Sequence, residues 1–495
     1  LENRVKLIPA QDIFTEAKQY LEGKAAEGGD HPKDLDKAEE LLNEVLNHNV
    51  GNDMVLYVLG SLHMERGNSG LAVQLLSQVT QMVPKFGEAW NNLGLAYRGV
   101  GDWKRGTACI KEAAKYINHP DIPCNAAGMH INRGMAEKAL KWADKALETD
   151  PQHVKARWHK AMALLELRRW GEAWDYHEAR LEGGAQERIA ERNYHAPDMT
   201  PWWDGKSKGT VVIHGEQGMG DEIMFASCIP DALETGAKLI LEPSPRLESL
   251  FKRSFPEAKV YGTDDTDGNR WIEELGKPDF KCALGTLPKF YRRSAESFPG
   301  KPYLVPDKGK RAWWGDKMKA LGRKPRIGLA WQGGVEATRY DARSFHPLNL
   351  APLFQHDAAW ISLQYDQTAR ENVQDVRDKL GVRIHHWPKA VEATDPDTGK
   401  PNDLDGLAAL ISQLDLVISV CQTAIHFAGG LGVECWCLTP SQPSWRYGNV
   451  EETNMPWYDS VTLIRQEPGV TDWTPAINEV NERLGKYLGE RKERA

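Results

Sequence analysis

Six residues, Gly215-Glu216-Gln217-Gly218-Met219-Gly220, have the types and spacing that could do chemistry. They follow a short apolar run, Thr210–His214, and precede a helix predicted to begin near Asp221. Glycines let a backbone approach a ligand, and a helix N-terminus favours an anion. The glycines fall at 215, 218 and 220, so the pattern is not GxGxxG, and no Gly-Lys-Ser/Thr follows as in a P-loop. A dinucleotide site is therefore disfavoured, while a purely structural tight turn stays open. A second glycine loop, ending Trp331-Gln332-Gly333-Gly334, follows the apolar stretch that starts at Arg326. The seven cysteines are scattered and form no pair of CxxC motifs, so zinc is not expected. Cys435 and Cys437 lie two apart in an apolar run, on one face of a predicted strand. Reduced, buried thiols in a cytoplasmic protein are the expectation.

The elements around these turns read as α/β units. Thr210–His214, the glycine turn, a helix and a strand at 238–241 make one βαβ unit. After Arg326 the sequence predicts strands at 359–364, 382–385, 415–419 and 434–438. Helices are predicted over 405–414, from Thr423-Ala424-Ile425-His426 through Leu431, and over 475–488. Short, continuously apolar strands are those of a parallel sheet buried on both faces. Two such halves in series, divided near 305–325, predict two Rossmann-like domains facing across a cleft. A dehydrogenase fails because neither GxGxxG nor a suitably placed ribose-binding acid is found.

The first third has a different grammar. Gly60, Gly94 and Gly128 recur every 34 residues, and Ala38, Ala72, Gly106, Ala139 and Ala173 recur every 33 or 34. That is the period of tetratricopeptide repeats, with small residues where paired helices cross closely. Trp90, Leu93, Gly94 and Tyr97 fit the first helix of a unit and Ala113 the second, while Pro84 and Pro151 end units. Five units span about 19–187, with irregular ends that cap the stack. Their surface is expected to hold a peptide or protein, or else to act as a packing scaffold or dimer face. Trp170 and Trp174, four apart on a late helix, read as a docking seam rather than a ligand cage.

Bulk numbers narrow the class. With 495 residues, at roughly 100–200 per domain, about three domains are expected. Sixty-two basic and 70 acidic residues give a net charge of -8, without the basic excess of a nucleic-acid binder. No run of 18 apolar residues predicts a membrane span, and the opening LENRVKLIPA lacks the apolar stretch of a signal peptide.

The repeats, followed by GEQGMGDEIMF, GTLPKFY, IGLAWQGG, ARSFHPL, WISLQ, DLVISVCQTAIHFAGGLG and PSWRYG…MPWYDSVTLIRQ, resemble bacterial tetratricopeptide-repeat glycosyltransferase-like proteins. The C-terminal region is similar to heptosyltransferases and, more distantly, to O-linked N-acetylglucosamine transferases. The resemblance implies an α-solenoid followed by a GT-B-like pair of Rossmann-like domains, with acceptor bound mainly by the first half and nucleotide sugar mainly by the second. The resulting division is 1–187 repeats, 188–208 linker, 209–315 acceptor half and 316–495 nucleotide-sugar half.

Site residues follow from the same resemblance. Gly218-Met219-Gly220-Asp221 matches the turn whose Asp takes the proton of the acceptor hydroxyl. The structural alternative is that Asp221 caps its helix. Glu222 is a substitute candidate and Glu216 a weaker one. Thr423 and His426 match the positions that hold the diphosphate leaving group, where fixed donors meet developing charge. Cys421 stands where the family usually has Asp, and Gln422 follows it. Gln332, Arg343 and Ser344 match loop positions on the nucleotide side, where Arg343 pairs with phosphate or forms a surface ion pair. Trp445, Arg446 and Tyr447 close the cleft, stack on a base or simply pack, as do Trp457 and Tyr458. No DxD motif is apparent where a metal-dependent GT-A enzyme would need one, so no metal and no cofactor beyond the nucleotide-sugar donor is expected. The implied activity is transfer of a sugar from that donor to a hydroxyl of a glycan, lipid or protein. The competing reading is an inactive repeat scaffold, to which the Cys421 departure lends weight.

Overall fold

The chain is described by a computed structural model over residues 10–23, 33–48, 52–182, 200–263, 270–334, 340–394, 397, 399, 401–402, 404–448, 452–467 and 469–494. The opening residues 1–9 and most of the expected linker, 188–199, lie outside these. Two compact units are present, 1–160 and 161–495.

The described part of residues 10–177 is helical throughout: α1 (Ala10–Glu22), α2 (Leu35–His48), α3 (Asp53–Glu65), α4 (Ser69–Met82), α5 (Gly87–Gly99), α6 (Trp103–Ala113), α7 (Asp121–Ile131), α8 (Ala136–Thr149), α9 (Val154–Glu166) and α10 (Trp170–His177). The unit 1–160 ends within α9. The marker glycines sit at close approaches. A Cβ on Gly94 would lie 2.9 Å from the Gly106 carbonyl oxygen, and one on Gly60 2.7 Å from Leu76. Gly128 differs: its close neighbour is the His159 ring, 2.9 Å away on α9 of the next pair rather than on its own partner α8. The turn inside each pair needs a left-handed residue, which Gly67, Gly101 and Gly134 supply at φ 78°, 78° and 63°. In the fifth pair the equivalent residue is Arg168, at φ 59°.

Within 161–495 there are two separate sheets. The first comprises β1 (Thr210–His214), β2 (Lys238–Glu242), β3 (Lys259–Val260) and β4 (Phe280–Ala283), all parallel, in the order β3-β2-β1-β4. The second comprises β5 (Arg326–Ala330), β6 (Ala359–Ser362), β7 (Ile384–His385), β8 (Leu416–Val420), β9 (Cys435–Thr439), β10 (Asn454–Met455) and β11 (Tyr458–Arg465). Its order is β10-β11-β9-β8-β5-β6-β7, and only the β10–β11 pair is antiparallel. The α-solenoid and the GT-B-like pair of Rossmann-like sheets are thus both present.

The central strands are apolar and buried on both faces: Val211, Val212, Ile213, Ile327, Leu329, Leu416, Val417 and Ile418 are each 2% exposed or less. Burying such a side chain stabilises by roughly 1.5–3 kcal/mol, which outweighs the weak β-propensity of any one residue. Sequence reading missed the two-residue strands β3 and β10, and also β4 and β11. The alternation of β4 and β11 is interrupted by Lys281, and by Asp459 and Ser460. They are strands because β1 and β9 offer free edges to pair with. The C-terminal helix runs Thr474–Arg494 and buries Ile477, Val480 and Leu484 in the core of the second sheet.

Candidate functional site

In an open parallel sheet the chain leaves the first strand in one direction and later returns to its other side, opening a crevice at the carboxyl ends. Here the crevices lie between β1 and β4 and between β5 and β8. The first glycine turn follows β1, and the second follows β5. Both glycine turns singled out in the sequence therefore line a switch point.

The first crevice is stitched by a buried ion pair. Gly215 N–H still follows the sheet, donating to the Glu242 carbonyl at 2.8 Å. Glu216 then turns inward and is 1% exposed. Arg180, fully buried just beyond α10, donates to both its carboxylate oxygens at 2.7 and 2.8 Å, and Gly285 N–H donates to one at 2.7 Å. Burial lowers the Arg180 pKa, but Glu216 and Glu178 outweigh it and hold the guanidinium above its ordinary value. Glu216 is therefore a structural anchor and not an available base. Glu222 is equally occupied: it is 2% exposed and accepts from Ser244 N–H at 2.8 Å. With Glu216 gripped, Gln217 is held at φ 60°, a left-handed conformation that costs a non-glycine residue roughly 1–2 kcal/mol.

Helix α11 (Met219–Ala226) starts at once, and its N-cap is Gly218, not Asp221. Asp221 is the third helical residue. It accepts only a long contact from Gly218 N–H, 3.4 Å. Its close partner comes from the other sheet: the Arg446 Nε pairs with Asp221 Oδ1, and Arg446 Nη2 donates to Gln217 Oε1 at 2.9 Å. The two charged side chains are 18% and 19% exposed, so most of the pair is shielded from water.

The second crevice is held largely by amide and hydroxyl groups, with the Asp366 carboxylate accepting from the Gln364 amide. Gln364, wholly buried at the end of β6, accepts from Trp331 and Gln332 N–H at 3.0 and 3.1 Å and donates to the Gln332 carbonyl at 3.1 Å. Gly333 N–H donates to Ser344 Oγ at 3.2 Å, and a Cβ on Gly333 would lie 2.7 Å from the Cys421 carbonyl oxygen. Arg343 donates to that same carbonyl at 3.3 Å. Gln332, Arg343 and Ser344 are thus brought together with the loop that leads into helix Thr423–Leu431.

Gly220 joins the two crevices. A Cβ there would lie 3.0 Å from the His426 ring and 3.6 Å from Thr423 Oγ1. Without a side chain at 220, α11 reaches the start of helix Thr423–Leu431. Asp221, Gly218, Gly220, Thr423, His426 and Arg446 therefore form one cluster. His426 is enclosed within it. Its Nδ1 lies 3.2 Å from Tyr458 Oη and its Nε2 3.4 Å from Tyr447 Oη. Burial, and then Arg446, lower its pKa to about 3, so the ring is neutral at ordinary pH. Both ring nitrogens face hydroxyls, and contact with a diphosphate requires one tyrosine to turn away.

The aromatic residues beside Arg446 pack. Trp445 is 6% exposed with its ring centroid 5.8 Å from Trp174, and Trp457 is 2% exposed against Phe298 at 4.9 Å. Trp170 and Trp174 do form a seam: Trp170 packs on Phe298 at 4.9 Å and Trp174 Nε1 donates to the Arg292 carbonyl at 2.7 Å. Arg168, from the left-handed position of the fifth pair, pairs bidentately with Glu452. The last helix pair thus grips both site-bearing loops, through Arg180–Glu216 and through Arg168–Glu452. Sequence reading missed Arg180, whose polar surroundings gave no sign of burial. Gln364 was visible only as the last residue of WISLQ.

A cavity of about 690 Å³, lined by Arg168, Trp170, Arg293 and Glu452 among others, contains none of the expected site residues. All seven cysteines are unpaired and buried. Among the described residues, no group of three His, Cys, Asp or Glu could hold a metal, and no helix is long and apolar enough to cross a membrane.

No family model matches the chain. It is 29% identical over 439 residues to protein FlbA of Caulobacter vibrioides, covering 84% of this chain and 70% of that protein. Among solved structures, a glycosyl transferase family 9 protein of Veillonella parvula aligns with 58% of this chain and 97% of its own length, at 12% identity and a TM-score of 0.42. A thermophilic TPR protein of Thermus thermophilus aligns with 36% of this chain and 95% of its own, at 19% identity and a TM-score of 0.30. At these scores the alignments add nothing to an architecture already evident from the helix pairs and strand orders.

Proposed function

We propose that this chain is a glycosyltransferase that moves a sugar from a nucleotide-sugar donor to a hydroxyl of a glycan, lipid or protein, and that its repeats bind a partner or the acceptor. The observation that carries the reading is the meeting of two switch-point crevices at Gly220, which sets a carboxylate from one sheet against a helix start from the other. In this scheme the acceptor oxygen forms a bond to the anomeric carbon. The bond from that carbon to the β-phosphate oxygen breaks, and its electron pair leaves with the diphosphate. The hydroxyl proton passes to Asp221 as general base. The N-terminus of helix Thr423–Leu431, the Thr423 hydroxyl and the Arg343 and Arg446 guanidinium groups meet the charge that develops on the leaving group. These protein donors serve in place of a metal, and no cofactor besides the donor takes part. The reduced cysteines fit a cytoplasmic setting.

The test is a panel of nucleotide sugars offered with mixed acceptors, read by mass spectrometry for transfer and hydrolysis. Binding is checked by melting, where a ligand at a hundred times its Kd adds roughly 2.7 kcal/mol. Turnover of one donor supports the reading. Nucleotide binding without turnover favours an inactive scaffold, the reading for which the enclosure of His426 and the thiol at Cys421 speak.

A further inference from the structure

We infer that Arg446 and the Gln217 amide form a subsite for an anionic oxygen of the donor's diphosphate, and that Asp221 fills this subsite until the donor arrives, so that donor binding itself releases the base. This rests on the transferase reading above and adds to it the Gln217 amide and an order of events.

Three observations point there. Arg446 reaches out of a buried aromatic loop, with its guanidinium 4.8 Å above the Trp445 ring, and crosses to the first half to engage both Asp221 and Gln217. A guanidinium pairs with phosphate oxygens as readily as with a carboxylate, using the same fork of donors. Gln217 offers only its oxygen to Arg446, while its buried Nε2 has no hydrogen-bond partner among the described residues. Across the cluster, Gln422 stands at the N-cap position of helix Thr423–Leu431, is 8% exposed, and likewise has a buried Nε2 with no hydrogen-bond partner among the described residues. Buried amide donors are rarely left unmet in a native protein. One of them beside a guanidinium and one at a helix N-terminus suit an oxygen-rich anion.

The exchange follows from charge. Asp221 cannot reach an acceptor hydroxyl with the carboxylate oxygen that Arg446 already occupies. A diphosphate that takes Arg446 leaves Asp221 beside the acceptor with its lone pairs free. The same contact keeps the base unavailable when no donor is bound.

Titration calorimetry on the full chain tests this, using the diphosphates of uridine, guanosine, adenosine and cytidine in turn, with four proteins: unmodified, Asp221→Asn, Arg446→Ala and the double variant. Melting curves confirm that each is folded. Arg446→Ala is expected to weaken binding about ten- to a hundredfold, the scale of a charge-assisted contact. Asp221→Asn is expected to tighten it about tenfold while Arg446 is present, and less than about twofold when Arg446 is absent. The dependence on Arg446 separates release of the subsite from simple loss of a negative charge, which would act in both backgrounds. Tightening of equal size in both, or no tightening, overturns the inference while leaving nucleotide binding intact. Failure of all four nucleotides to bind the unmodified protein overturns the transferase reading on which it rests.

Discussion

The two glycine turns occupy equivalent places in their sheets and are fastened in opposite ways. After β1 the turn is fixed by charge, with Glu216 locked to the fully buried Arg180 and Gln217 forced left-handed. After β5 it is fixed by neutral hydrogen bonds that its backbone N–H groups donate to Gln364 and Ser344. The difference follows from what each turn presents. The first presents a carboxylate, Asp221, and keeps its nearby acid Glu216 neutralised so that one negative charge faces the cluster. The second lies beside the Arg343 guanidinium and the Ser344 hydroxyl, with the Asp366 carboxylate held by Gln364 and Thr368.

The comparison breaks most visibly at Asp221. If its carboxylate is the base, Asp221→Asn lowers the transfer rate about a hundred- to ten-thousandfold, with a much smaller change in melting temperature. A destabilised variant that still transfers sugar at a near-normal rate would make Asp221 a structural residue.

Next comes the fastening itself. Arg180→Leu strands Glu216 as a buried charge, and removing one partner of such a pair typically costs about 3–5 kcal/mol. Urea denaturation measures it. A cost under about 1 kcal/mol would mean that the first turn is no more dependent on charge than the second.

Acid probes the enclosed imidazole. His426 has a folded pKa of about 3, below its ordinary value near 6.5, so below pH 6.5 the unfolded chain binds a proton that the folded protein does not. Stability contributed by the neutral ring is intact above pH 6.5 and declines as pH falls toward 3, by about 1.4 kcal/mol per unit. His426→Gln should flatten that part of the stability–pH curve between pH 6.5 and 4.5. An unchanged slope would show that the ring is reached by water. The smallest effect is expected at the neutral turn: Ser344→Ala removes one hydrogen bond to Gly333 and should cost about 0.5–1.5 kcal/mol by the same urea measurement.

Local sequence carried much of this. The 34-residue period required paired helices because small residues recur where helices cross, and Gly94 does lie against Gly106. Apolar runs bounded by glycine turns required buried parallel strands, and Thr210–His214 and Arg326–Ala330 are the central strands at which each sheet reverses its order. These features are legible because they depend on neighbours a few residues away, through periodicity, turn conformation and burial.

The partners of charged groups were decided elsewhere. Asp221 and Arg446 are 225 residues apart in sequence, and nothing in either segment names the other. Arg180 sits in a polar stretch that reads as an exit from the repeats, yet it is wholly buried because Glu216 and Glu178 meet it there. His426 lies at a motif position that suggests a ligand, and its surroundings instead place a tyrosine hydroxyl at each ring nitrogen. Only the tertiary structure assigns such roles, because a buried charge or imidazole is defined by what desolvates and pairs it, and those groups converge from distant strands and helices.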